Sequence, residues 1–152
     1  MTSNIGAVRV ALRAALVSAY AADETVGVMY GPGEPTNPSD AVWVASLRVD
    51  VNPATLAASS RPTDELIEAE VILSSSRNGP AEVQPFVAAR VDAMYSTLFE
   101  YLRTSSNYTL GVSANTWARI VRYVSEPSDN PQVLAKGRNE TATVKIAIET
   151  RV

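Results

Sequence analysis

The sequence predicts an α+β domain: a largely antiparallel sheet of four to five strands, two helices packed on one of its faces, and the order α-β-β-β-α-β-β. Three observations carry this. Two stretches repeat apolar residues at three- and four-residue steps, the spacing of one helical face. Others alternate apolar and polar residues, the pleat of a half-buried strand. The strands are mostly sequence neighbours joined by turns or loops, which favours antiparallel pairing. A chain of 152 residues suits one domain, 1–152, around one core.

The first helix spans roughly Asn4 to Ala22. Ile5, Val8, Leu12, Leu16 and Ala19 form its inner face, and Ser3 or Asn4 is placed to cap it. Its other side carries Ala7, Val10, Ala14 and Val17, with Arg9 and Arg13 the only charges. Val26 to Tyr30 is a short strand, and the Pro- and Gly-rich run 31–38 cannot continue it. A second strand runs from about Val42 to Val51, with Trp43, Ala45, Leu47, Val49 and Val51 on the inward face. A third, Glu65 to Ser74, turns Ile67, Ala69, Val71 and Leu73 inward. After the turn at Asn78-Gly79-Pro80 comes the second helix, with the stripe Val83, Val87, Val91, Met94, Leu98 and Leu102. Pro85 either stands near its first regular position or bends it. Burying that stripe contributes on the order of 10 kcal/mol before entropy is subtracted, which makes this helix the spine of the core. A fourth strand at about Trp117 to Ser125 is followed by a long connection, 126–139. The fifth, Glu140 to Arg151, turns Val144, Ile146 and Ile148 inward.

Composition removes much chemistry. Cysteine and histidine are both absent, so no disulfide framework, ordinary zinc site, Ser-His-Asp triad or Cys-His pair is possible. Cofactor and metal sites are not expected, and neither is an enzyme. With 13 basic and 16 acidic residues, the net charge of -3 does not predict nucleic-acid recognition or a basic membrane face. No run of 18 uncharged apolar residues offers a membrane span. Ala14 to Ala22 ends like a signal-peptide cleavage site, but Arg9 and Arg13 interrupt the apolar run before it. A cytoplasmic protein is the expectation.

The remaining motifs have plain explanations. Gly31-Pro32-Gly33 lacks the helix that a phosphate-cradling loop needs. Glu68 and Glu70 share a strand face, where paired carboxylates could do acid–base work. Such pairs more often form the solvated side of a sheet, here with Arg48, Arg119 or Arg122 as ion-pair partners. Trp43 and Trp117 are assigned to core packing, with an interface anchor as the other role. The uncharged outer side of the first helix and three long connections (31–41, 52–63, 126–139) suit assembly better than a solitary monomer. Candidate contact residues are Val10, Arg13 and Val17 on the helix, with Pro32, Pro35, Leu56, Val133 and Leu134 in the connections.

Four segments together resemble the tail terminator proteins of long-tailed bacteriophages, particularly those infecting actinobacteria. They are the helix VRVALRAALVSAYAA, the Pro/Gly loop before a strand, the stretch Met94 to Leu102 that ends the central helix, and Gly137-Arg138-Asn139-Glu140-Thr141 before the last strand. The resemblance covers most of the chain in overall order. It implies a homo-oligomeric ring, a hexamer, that caps the tail tube protein and docks the head–tail connector protein. Genomic DNA would pass through its channel without sequence-specific binding. Assembly would take place in the host cytoplasm, and the product would sit in the virion at the head-proximal end of the tail. A connector or tail-completion protein is the nearest alternative. A small-molecule-binding α+β domain is the more distant one.

Overall fold

The computed structural model describes residues 3–31, 39–51, 64–104 and 106–151. Three helices and five strands follow in the order α1 (Ile5–Ala19), β1 (Val26–Val28), β2 (Asp40–Val51), β3 (Asp64–Asn78), α2 (Gln84–Arg103), β4 (Thr116–Pro127), α3 (Pro131–Lys136) and β5 (Gly137–Arg151). The strands form one sheet in the order β1-β2-β3-β5-β4. Every pairing is antiparallel except β1 with β2, which run parallel in the register Val26 to Asp40.

The central strands β3 and β5 pair without interruption from Asp64–Arg151 to Asn78–Gly137. Both outer neighbours carry a bulge. The β2 register skips between Val44 and Ser46, and the β4 register skips between Ile120 and Arg122. Val44 pairs with Val71 and Arg122 with Lys145, so the two extra residues, Ala45 and Val121, lie near the same level of the sheet. Bulges bend and twist the strands that contain them, so the sheet turns on both sides of a straight centre.

The first bulge overturns one sequence expectation. Because Ala45 shifts the phase, Val42 and Val44 face the core before it and Leu47 and Val49 after it. Trp43 and Ala45, assigned inward, lie on the other face, with Trp43 half-buried. Trp117 is likewise no core residue: Thr116 and Ala118 take the buried positions, and it is 51% exposed. The alternations of β3 and β5 stand as expected, with Ile67, Ala69, Val71, Leu73, Val144, Ile146 and Ile148 all fully buried.

Both long helices cover the same face. α1 lies over β1 and β2, and α2 lies over β3, β5 and β4. Val91, Met94, Leu98 and Leu102 of α2 meet Val8, Leu12 and Leu16 of α1 in one core cluster. Pro85 stands in the first turn of α2, after a separate 3-10 turn at Ala81–Val83, so it starts the regular helix and does not kink it. The N-terminus of α1 is held partly from a distance. The Glu65 carboxylate of β3 accepts from the Asn4 amide at 3.2 Å and from Ser3 Oγ at 3.1 Å, while Ser3 Oγ accepts from the Ile5 amide. A negative charge there also meets the positive end of the helix dipole. The Asn4 side chain does not cap; its amide donates to Thr150 Oγ1 at 3.0 Å.

Candidate interaction surfaces

Three surfaces and one buried ion cluster stand out. On α1, Val10, Arg13 and Val17 share one stripe. Val10 is 72% exposed and Val17 is exposed, while Arg13 is half-buried. The Arg13 guanidinium lies 3.6 Å from the ring centroid of Tyr30, a residue that is itself 79% exposed. Arg13 Nε is buried without a hydrogen-bond partner among the described residues. Arg and Tyr are enriched at binding hot spots, and here the cation stacks on the ring face beside two exposed valines. This patch lies at the β1–β2 side of the sheet.

A second apolar surface occupies the opposite side, where β4 is the outer strand. Phe99, Leu102 and Arg103 of α2, Tyr108, and Trp117 and Ile120 of β4 line a groove of about 340 Å³. Tyr95 and Tyr123 stack beside it with centroids 4.2 Å apart, and Val121 is exposed further along β4. Tyr123 Oη donates to Asp92 at 2.6 Å. Burial first, and then this bond to a carboxylate, raise the Tyr123 phenol well above its ordinary value, so it stays a proton donor. The groove escaped sequence reasoning because Phe99 flanks the buried stripe of α2 and Trp117 was assigned to the core. The available signal was Trp117 at an outward step of the β4 alternation.

The third surface is the sheet face opposite the two long helices. Glu68 and Glu70 lie on it, half-buried, opposite Arg48 and Ser46 in register. Arg48 pairs with Asp50 at 3.5 Å and Arg119 with Glu149 at 3.5 Å, so neither arginine closes on the glutamates as the sequence suggested. Lys145 and Arg122 sit across from each other beside Glu70, which leaves the face mixed in sign.

One end of the sheet is organised by Asp40, only 1% exposed. Its Oδ1 accepts from Ser75 Oγ at 2.6 Å and Arg77 Nη1 at 3.0 Å, and its Oδ2 from Arg90 Nε at 2.7 Å and Arg77 Nη2 at 3.1 Å. Burial pushes the Asp40 carboxyl up, but the bonds from Arg77, Ser75 and Arg90 outweigh it and hold the carboxyl below its usual range. Arg90 also reaches Asp23 at 2.5 Å, and Asp40 leads the causes that raise its own proton affinity. The cluster ties β2, β3, α2 and the α1–β1 turn together. Each Asp40 oxygen accepts two hydrogen bonds, so the carboxylate is paired and braces the fold, while Arg77 keeps 41% of its side chain exposed.

Of the candidate contact residues, Pro32, Pro35 and Leu56 lie outside the described residues. Val133 and Leu134 do not belong to an irregular connection. They sit on α3, where Asn130 caps the Gln132 amide at 2.9 Å and Pro131 starts the helix. The stretch 126–139 is therefore the end of β4, a short helix and the start of β5. Val133 is half-buried and Leu134 exposed. The structure thus groups Val10, Arg13 and Val17 at one side and places Val133 and Leu134 at one end of the sheet.

No family model matches the sequence, and no curated protein matches it. Among solved structures the chain is similar to one in the virion of a native gene transfer agent particle. The TM-score is 0.55 at 15% identity, over 94% of this chain and 98% of that one. The likeness is one of fold. It spans nearly all of both chains.

Proposed function

We propose that this chain is a structural virion protein of the tail-terminator kind, a ring-forming part that caps a tail tube and receives the head connector, with no catalytic step of its own. The observation that carries the reading is the presence of two unlike apolar patches at opposite sides of one sheet. Val10, Val17 and the Arg13–Tyr30 pair lie at one side, and the Phe99–Trp117 groove at the other. When a surface docks onto a different surface of the next copy, the contact is heterologous, and it closes into a ring if the rotation allows. An isologous dimer would need only one self-complementary patch.

Two further points support the reading. The fold resembles that of a chain in a gene transfer agent virion, the setting in which a terminator would work. The sheet face opposite the two long helices alternates Arg48, Glu68, Glu70, Lys145, Arg119 and Glu149, so a channel lined by it would give DNA no sustained basic grip. In this proposal the partners are sister copies, the tube protein and the connector protein. The ring is a hexamer, built in the host cytoplasm and carried in the virion.

Electron microscopy tests the proposal. Purified protein, alone or with its tube protein, is expected to give six-fold rings, and immunogold label should fall at the head-proximal end of the tail. Label on the head shell or the tail tip would refute it.

A further inference from the structure

A cleft of about 520 Å³ opens at the end of the sheet where β3 finishes and β5 begins, roofed by α3. Arg77, Lys136 and Arg138 line it together with the side-chain amides of Asn78, Asn130 and Gln132, and among the described residues no carboxylate or aromatic side chain does. Three cations thus converge on one concavity of a chain whose net charge is -3. Asp129, one residue before Asn130, does not line it.

Two of the three cations are held in place. Arg77 is anchored on Asp40 yet keeps 41% of its side chain exposed. Arg138 Nη1 donates to the carbonyls of Leu134 at 2.9 Å and Gly137 at 2.7 Å, while its other N–H groups have no protein partner among the described residues. Asn130 Oδ1 accepts from the Gln132 amide, which leaves the Asn130 NH₂ as a donor. The floor is close-packed backbone: a Cβ on Gly137 would stand 2.2 Å from the Arg77 carbonyl oxygen. Anchored guanidinium forks and amide donors lose little freedom when they pair with planar oxyanions.

We infer that this cleft is a docking site for the carboxylates of an acidic segment of a partner protein. A DNA duplex is too wide to enter it, and single-stranded bases would find no aromatic platform. A polyanion would also face the acidic remainder of the chain, whereas a short loop bearing two or three Asp or Glu side chains meets only the local cations. The cleft shares no residue with the two apolar patches, so its test stands apart from ring assembly.

The test is titration of the full chain, followed by amide chemical shifts, with an octapeptide of alternating Asp and Gly. An Asn-Gly peptide, inorganic phosphate and a 20-base-pair duplex serve as comparisons. The acidic peptide is expected to move the amides of Asn78, Gln132, Gly137 and Arg138, and to weaken as salt rises. The double reversal K136E/R138E should weaken binding about tenfold or more with an unchanged melting temperature. The milder pair K136Q/R138Q, offered in case the reversal misfolds, should weaken it severalfold. Equal binding of the Asn-Gly peptide, no shifts at millimolar Asp-Gly peptide, or tighter binding of phosphate or duplex would overturn the inference.

Discussion

Replacing Asp40 with Asn keeps the shape of the side chain and removes its charge. The carboxylate accepts four hydrogen bonds, three of them from guanidinium groups, at 1% exposure. An amide can accept on one atom only, and its NH₂ would face N–H donors. Breaking a buried ion pair by removing one partner costs about 3–5 kcal/mol. Two features reduce that figure here. Arg90 keeps Asp23, and Arg77, at 41% exposed, can turn to water, so its share is discounted for solvent screening. The expected loss at pH 7 is about 2–3 kcal/mol. The effect is pH-dependent, and the sign follows from the lowered folded-state affinity for protons. The stabilisation is fully present above the unfolded value, about 4, and is lost as pH falls through the folded one. The wild type should therefore lose stability below about pH 4, and D40N should show a shallower acid limb. Urea unfolding at matched protein concentration, read by the fluorescence of Trp43 and Trp117, measures both quantities. A D40N variant within 0.5 kcal/mol of wild type at pH 7, or an acid limb of unchanged slope, would refute the reasoning.

Four further perturbations probe the frame. Gly137→Ala drives a Cβ into the Arg77 carbonyl at 2.2 Å and Asn78 Cα at 2.9 Å. It should cost about 1–3 kcal/mol by calorimetry, with faster amide exchange where β3 meets β5. Deleting Ala45 removes the extra residue of the β2 bulge and leaves Val42, Val44, Leu47 and Val49 in phase, so circular dichroism should show a folded protein. Deleting Glu70 from unbulged β3 should unfold it, because half the strand then turns its apolar side outward. Tyr20→Phe removes the buried 2.7 Å bond to the Met94 carbonyl and should cost about 1 kcal/mol in a thermal melt.

Periodicity carried most of the fold. The stripe of α1, the α2 stripe from Val87 onward and the alternations of β3 and β5 are local patterns that predicted the buried face, whereas Val83, placed on the α2 stripe, lies half-buried in the 3-10 turn before that helix. The β2 bulge was not legible, since one extra residue shifts the phase and only the partner strand reveals which residue is extra. The parallel pairing of β1 is likewise a tertiary fact. The helix α3 had a readable signal, Asn130 as cap and Pro131 at the first position, obscured by the surrounding turn formers. The exposed α1 stripe was plain from the missing charges. The opposite groove and the basic cleft were not, because each is assembled from residues far apart in sequence. Asp40 looks like an ordinary polar flank until β3 and α2 bring Arg77 and Arg90 to it.

The central claim, two different faces docking head to tail, is tested most directly by mixing two damaged chains and weighing the products. Val10→Asp spoils one face and Trp117→Ser the other, and both side chains are exposed enough to leave the fold intact. Light scattering is expected to give about 97 kDa for six copies of the 16.2 kDa chain, with each variant alone remaining a monomer. A mixture of the two variants still holds one good copy of each face, so it should stop at a dimer of about 32 kDa. A wild type that stays at 16.2 kDa even beside its tube protein, or a mixture that forms no dimer, would contradict the account.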